Sequence, residues 1–256
     1  MAFLFGDSFD HYATADITKV WGASAGGVIG AYGRNSTNGL RLSGGGHQSS
    51  YLSLPSTYPR LIVGFAWKPA DITGYHLVSL WDSVANNNQS GLTIENNTGH
   101  LLVTRDATEL EDSGYVMSAG VWHHIGFDIT IATSGSWTAW VNGLQVAGGS
   151  GNTKATANAY ADSIRFYCYS GTADFDDLYV LDNSGGNCNA FLGDIRGVSR
   201  FANADGTYTD FTASAGDRHD CVNKITPTAD AKYVKSLTPG HKVTFSFPAM
   251  GVTGNV

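Results

Sequence analysis

Few side chains in this sequence could do bond-breaking chemistry, and their spacing restricts them further. Hydrolysis of a glycosidic bond usually needs two carboxyl groups flanking that bond, one kept protonated and one ionised. The glutamates are Glu95, Glu109 and Glu111, and Glu109-Leu110-Glu111-Asp112 forms a polar stretch with no aromatic strand around it. Asp176 and Asp177 are adjacent, so a regular strand would send them to opposite faces and away from a common bond. His123 and His124 are also neighbours, which excludes the i, i+4 pair of a helical zinc site; one is expected to pack inside and the other to be exposed. Gly149-Ser150-Gly151 lacks the strand-to-helix setting of a nucleophile elbow. Trp137 and Trp140 have opposite strand parity, so one of them faces away from the core and is the best candidate contact for a ligand.

The element that must position these residues is legible between 120 and 146. Ile125, Phe127, Ile129 and Ile131 alternate with His124, Gly126, Asp128 and Thr130, the period of a half-buried strand. Asn142-Gly143 then supplies a tight hairpin turn between two apolar runs. Similar short runs, at 39–42, 50–54, 61–67, 76–81, 91–95, 101–105, 163–169 and 175–181, are separated by turn-rich clusters, as in an all-β sandwich. Ser43-Gly44-Gly45-Gly46 and Ala147-Gly148-Gly149-Ser150-Gly151 read as turns, because neither leads into Lys-Ser/Thr and a helix. Trp122, Ile125, Phe127, Ile129, Val141 and Phe166 are the expected core.

The 256 residues contain 32 glycines, 12% aromatic and only 14% charged residues, a soluble, loop-rich β composition. Residues 1–200 are expected to form one sandwich, and 201–256, with Lys242 to Phe247 as a strand, a C-terminal arm or small β satellite that attaches to partner subunits. The net charge of −7 and the absence of a basic stripe argue against nucleic-acid binding. The start of the chain has neither the charged nor the long apolar region of a secretory signal, so synthesis in a cytoplasm without membrane attachment is expected. Cys168, Cys188 and Cys221 do not suggest a disulfide framework, and Cys168 reads as a core filler. The sequons beginning at Asn35, Asn88 and Asn96 read as surface loops.

Trp122-His123-His124 followed by Trp137-x-x-Trp140-Val141-Asn142-Gly143 resembles the laminin-G and concanavalin A-like lectin/glucanase superfamily. The preceding Gly39-Leu40-Arg41-Leu42, Phe65-Ala66-Trp67-Lys68-Pro69 and Leu77–Asp82 runs follow that superfamily's order, and the likeness extends over about residues 1–200. It implies a two-sheet antiparallel β-sandwich, a lectin-like jelly roll. The Glu-x-Asp-x-Glu strand of the glucanase branch is missing, which implies no enzyme. Some sandwiches of this kind hold Ca²⁺ at a rim. Asp82, Asn86, Asn87, Asp106, Asp176 and Asp177 are the donor pool, with the four aspartates as candidate ligands and turn-making as the competing reading. Phe175–Asp182 and then Phe191-Leu192-Gly193-Asp194-Ile195-Arg196 resemble segments of tailed-bacteriophage virion proteins. That likeness implies a non-enzymatic structural protein of the virion, a capsid decoration or tail component, with other virion proteins and copies of itself as partners. Related virion proteins are expected to carry further chain beyond this point, which leaves a shorter version of the family or a truncated one as the two readings. The alternative is a carbohydrate-binding module for host-surface or environmental glycans.

Overall fold

The computed structural model describes residues 3–43, 48–72, 76–96, 98–185, 189–197, 201–223 and 232–248. The chain divides into two compact units, Met1–Gly197 and Val198–Val256. The strands of the first unit are β1 (Phe3–Asp7), β2 (Ala23–Ala25), β3 (Gly27–Gly30), β4 (Gly39–Ser43), β5 (Gln48–Tyr58), β6 (Arg60–Pro69), β7 (His76–Asp82), β8 (Asn87–Ile94), β9 (His100–Arg105), β10 (Thr108–Val116), β11 (His123–Thr130), β12 (Gly135–Val141), β13 (Leu144–Gly151), β14 (Ala161–Cys168) and β15 (Thr172–Leu181).

They make an eight-stranded sheet, in the order β13-β12-β11-β6-β15-β4-β3 with β1 also on β15, and a seven-stranded sheet, β10-β9-β8-β7-β14-β5-β2. All pairings are antiparallel. The expected β-sandwich is therefore the observed fold. Period-2 alternation turns Leu61, Val63, Phe65 and Trp67 of the first sheet toward Leu80, Ile164 and Phe166 of the second, forming one shared core. Phe166 and Phe175 stack across it at 4.3 Å, and Phe65 and Trp21 approach Phe166 at 5.4 and 5.5 Å.

Of the expected core, Ile125, Phe127, Ile129, Val141 and Phe166 are buried. Trp122 is only half-buried, because it precedes β11 and carries the Lys68 ammonium over its ring at 5.0 Å. Cys168 is buried and its thiol is pushed up to about 11 by burial, as a core filler should be. Cys188 lies outside the described residues. Asn88 is buried within β8, so its sequon is not on a surface loop.

In the second unit β16 (Ala204–Thr209) pairs with β19 (Val243–Ser246), and β17 (Thr212–Ala213) pairs with β18 (Val234–Lys235). The Asp205 carboxylate organises one turn by accepting from the Arg218 guanidinium at 3.1 Å and the His219 amide at 2.7 Å. Among the described residues no helix is long and apolar enough to cross a membrane.

Candidate functional site

The second sheet carries the polar surface best suited to a ligand. Ile164 and Phe166 point into the core, so Ser163, Arg165 and Tyr167 point outward from β14; Val78 and Leu80 likewise leave Ser79 and Trp81 outward on β7. Strand register then sets Arg165 between Ser79 and Tyr51, and Ser163 beside Trp81. The Arg165 guanidinium lies 3.7 Å from the centre of the Trp81 ring and 5.2 Å from that of Tyr51, a cation–π sandwich. Its Nη1 donates to the Tyr167 hydroxyl at 3.3 Å, and Tyr167 stacks on Tyr169 at 5.7 Å.

Four buried polar atoms of this patch have no protein partner: Arg165 Nε, Trp81 Nε1, Ser79 Oγ and Ser163 Oγ. Buried polar groups are normally hydrogen-bonded, and here four orphans fall on two adjacent cross-strand pairs. Aromatic faces, two hydroxyls, an indole N–H and a cation together suit a hydroxylated or anionic ring. None of the residues named in this patch is a carboxylate.

The first sheet's outer face is organised differently. Trp137 points inward, is 8% exposed, and donates from Nε1 to the Glu111 carboxylate at 2.5 Å. Trp140 is thus the outward member of the pair. Register places Trp140, Gly126, Gly64 and Tyr179 in one row across β12, β11, β6 and β15. The two glycines leave room for rings to lie on the row, and Tyr179 takes that room over Gly64, where a Cβ would come within 2.1 Å of its ring. Residues 189–197 run over it: Phe191 stacks on Trp140 at 4.7 Å with an 11° interplanar angle, and a Cβ on Gly126 would come within 2.2 Å of the Phe191 ring. Leu192 and Ile195 pack on Ile62, Tyr179 and Leu181. His124 lies beneath, 2% exposed, with both ring nitrogens unpartnered. Burial pushes its pKa down to about 4. His123 is 3% exposed and contacts Ser118 through Nε2, so neither histidine is exposed, contrary to the expectation for the pair.

Asp176 and Asp177 also depart from simple parity. The register slips between Asp176 and Tyr179, and Asp177 has φ +50°, a bulge that turns both carboxylates toward Arg34. Asp176 accepts from the Arg34 backbone amide at 2.8 Å, while Asp177 pairs with its guanidinium at 2.6 Å. Burial first, then the charge of Asp177, pushes Asp176 up to about 7. The same guanidinium reaches over to Asp194 at 2.7 Å and to the Ile195 carbonyl at 3.2 Å, tying down residues 189–197.

The four candidate calcium ligands are spread over separate elements. Asp82 is buried at the end of β7, where it accepts from the Val84 and Ala85 amides, the Thr156 hydroxyl and the Asn158 amide. Burial raises its pKa, but those hydrogen bonds outweigh burial and hold the carboxyl below its ordinary value. Asp106 is exposed in the β9–β10 turn at φ +49°, Asn86 is exposed at φ +51°, and the Asn87 side chain accepts from the Asn88 amide. Asp176 and Asp177 are on the other sheet. Among the described residues, the sets with three His, Cys, Asp or Glu ligand atoms within 4.8 Å of one another are Glu95–His100–Asp112 and Asp217–His219–Asp220, and none of the four belongs to them. Arg165 and Arg34 were missed from sequence. For Arg165 the signal existed, since it shares strand parity with Tyr167 and Tyr169.

No family model and no curated protein matches the chain. Solved structures do. An endo-β-1,4-glucuronan lyase from the fungus Trichoderma reesei is 14% identical with a TM-score of 0.52, over 69% of this chain and 94% of that one. The cellulose-induced protein Cip1 is 11% identical with a TM-score of 0.54, over 75% of this chain and 100% of its own. The binding domain of Paraclostridial mosquitocidal protein 1 is 14% identical with a TM-score of 0.50, over 70% of this chain and 48% of that one. The chain shares their β-sandwich fold. At these identities the likeness is one of fold, and function must be argued from the surface chemistry.

Proposed function

We propose that this protein is a non-enzymatic glycan-binding β-sandwich whose binding surface is the outer face of the second sheet around Arg165. The observation that carries the reading is the coincidence of an aromatic-sandwiched guanidinium with four unpartnered buried polar atoms on neighbouring strand positions. A sugar ring offers an apolar face to the half-buried Trp81 and Tyr51 and hydroxyl oxygens to the half-buried Arg165 guanidinium, and a shift of Arg165 would open the buried Ser79 and Ser163 hydroxyls to it. Titration of the full chain against a glycan panel tests it: Trp81→Ala and Arg165→Gln should each weaken the best ligand about tenfold, a loss typical of a buried anchor of this kind. A panel without a single binder, or binding unchanged in both variants, refutes it. Cleavage of any panel member, abolished by one Asp or Glu substitution, refutes the non-enzymatic part.

A second reading, a structural protein of a tailed-phage virion on the capsid or tail, rests on the resemblance of Phe175–Asp182 and Phe191–Arg196 to segments of such proteins. In the structure these two segments fold onto each other, with Tyr179 accepting from the Leu192 amide and Arg34 bridging Asp177 and Asp194. The two roles are compatible in one molecule, glycan binding on one sheet and residues 201–256 serving attachment to other virion subunits or to further copies. Identifying the chain and its neighbours in purified particles tests this reading.

A further inference from the structure

We infer that the first sheet's outer face is a second ligand site, for an acidic pyranose, and that the chain's own Phe191 and Asp194 occupy it here. This site is on the opposite sheet from the Arg165 surface and does not depend on it. Its floor is Gly126, beneath Phe191, and its walls are Trp140 and the Tyr179 ring, which lies over Gly64. The Phe191 ring, nearly parallel to Trp140 at 4.7 Å, takes the position that the apolar face of a sugar ring takes on an indole. The Asp194 carboxylate, 2.7 Å from Arg34 Nη1, takes the position of the sugar's acid group. Arg34 does not rely on Asp194 to stay in place, because Asp177 holds it at 2.6 Å.

His124 shows that the present occupant is an incomplete fit. It is 2% exposed, lies against Phe191 at 5.7 Å and Tyr179 at 6.3 Å, and has no partner for either nitrogen. A neutral imidazole presents one donor and one acceptor; a phenyl ring answers neither. A uronate ring would satisfy all three features at once: its C–H face for Trp140, its hydroxyls for His124, its carboxylate for Arg34. A neutral sugar would leave Arg34 Nη1 without the carboxylate that now faces it, although Asp177 still pairs with the rest of the guanidinium, and a plain aromatic side chain would leave His124 as it is now.

Because residues 189–197 must leave before a sugar enters, the apparent affinity is reduced by the fraction of molecules in which they have left. Weakening their seat should therefore increase binding, the reverse of what ordinary damage to a site does. The experiment titrates trimers of galacturonate, glucuronate and mannuronate, and a neutral galactose trimer, into the full chain and its variants at neutral pH. Phe191→Ala removes the ring; Asp194→Ala removes the latch at a side chain that is 54% exposed and leaves the apolar packing intact, so one variant remains informative if the other fails to fold. We expect at least one uronate trimer to bind either variant about tenfold or more tighter than the unaltered chain, as removal of a competing cover predicts. The gain should be absent for the neutral trimer, lost on adding Trp140→Ala, and kept in an Arg165→Gln background. The proposal is overturned if no folded variant gains uronate binding, if the neutral trimer gains equally, or if the gain survives Trp140→Ala.

Discussion

Replacing Asp176 with asparagine should make stability climb more steeply as pH rises than it does in the unaltered chain. Burial and the neighbouring Asp177 lift Asp176 from 3.8 to about 7, so between those values the native state holds a proton that the unfolded chain has lost, and stability falls as pH rises. His124 does the reverse. Burial lowers it from 6.5 to about 4, so between those values the unfolded chain holds the extra proton, and stability climbs as pH rises. Gaps of roughly 3 and 2.5 pH units, at about 1.4 kcal/mol each, are opposing contributions of roughly 4 and 3 kcal/mol. They largely cancel from about pH 4 to 6.5. In Asp176→Asn one of the two carboxylate oxygens, which separately accept from the Arg34 and Asp177 amides at 2.8 Å, becomes an NH2 donor; that loss lowers stability by the same amount at every pH, and the His124 limb is left alone to set the slope. The variant should gain on the order of 3 kcal/mol relative to the unaltered chain as pH rises across that window. His124→Gln should lose a similar amount as pH rises from about 4 to 7. Guanidinium denaturation at pH 4, 5, 6 and 7, followed by circular dichroism, reads both, and taking the difference from the unaltered chain removes what the other carboxylates contribute. If the two difference profiles slope in the same direction, or if both are flat, the assigned environments of these residues are wrong.

Phe127, 2% exposed in β11, should cost about 3–5 kcal/mol when replaced by alanine. A loss below about 1 kcal/mol in the same denaturation assay would contradict the strand register. On the virion reading proposed above, a chain ending at residue 200 should remain a folded, soluble sandwich yet fail to incorporate into particles, because residues 201–256 have little apolar sequence for a core but offer the edges of β16 and β19 for pairing. Incorporation at normal occupancy would place attachment in the sandwich instead.

The sandwich was legible because half-buried strands betray themselves by alternation: Ile125, Phe127 and Ile129 predict the face they occupy, and Asn142-Gly143 predicts the turn, with both residues at positive φ. The strand β10 was not legible, since Glu109, Glu111 and Asp112 make it polar on both faces. Nor was the bulge at Asp177, which depends on Arg34, 143 positions away in sequence. Alternation likewise assigned Trp137 and Trp140 to opposite faces correctly but could not say that Phe191 would cover the outward one.

One signal of that cover was present in the sequence. Leu61-Ile62-Val63-Gly64-Phe65-Ala66-Trp67 is apolar without a break, whereas an antiparallel strand with one face in water should alternate. A continuous run implies a strand buried on both sides, and β6 is buried on both from Leu61 to Trp67. Its inner face meets the second sheet, so its outer face needs a second covering layer. The apolar residues that follow the last strand of the sandwich, Phe191, Leu192 and Ile195, are the ones that provide it. The row of glycines follows from the same covering layer: a Cβ at Gly64 would come within 2.1 Å of the Tyr179 ring and one at Gly126 within 2.2 Å of the Phe191 ring, so only glycine lets both rings lie flat on the sheet.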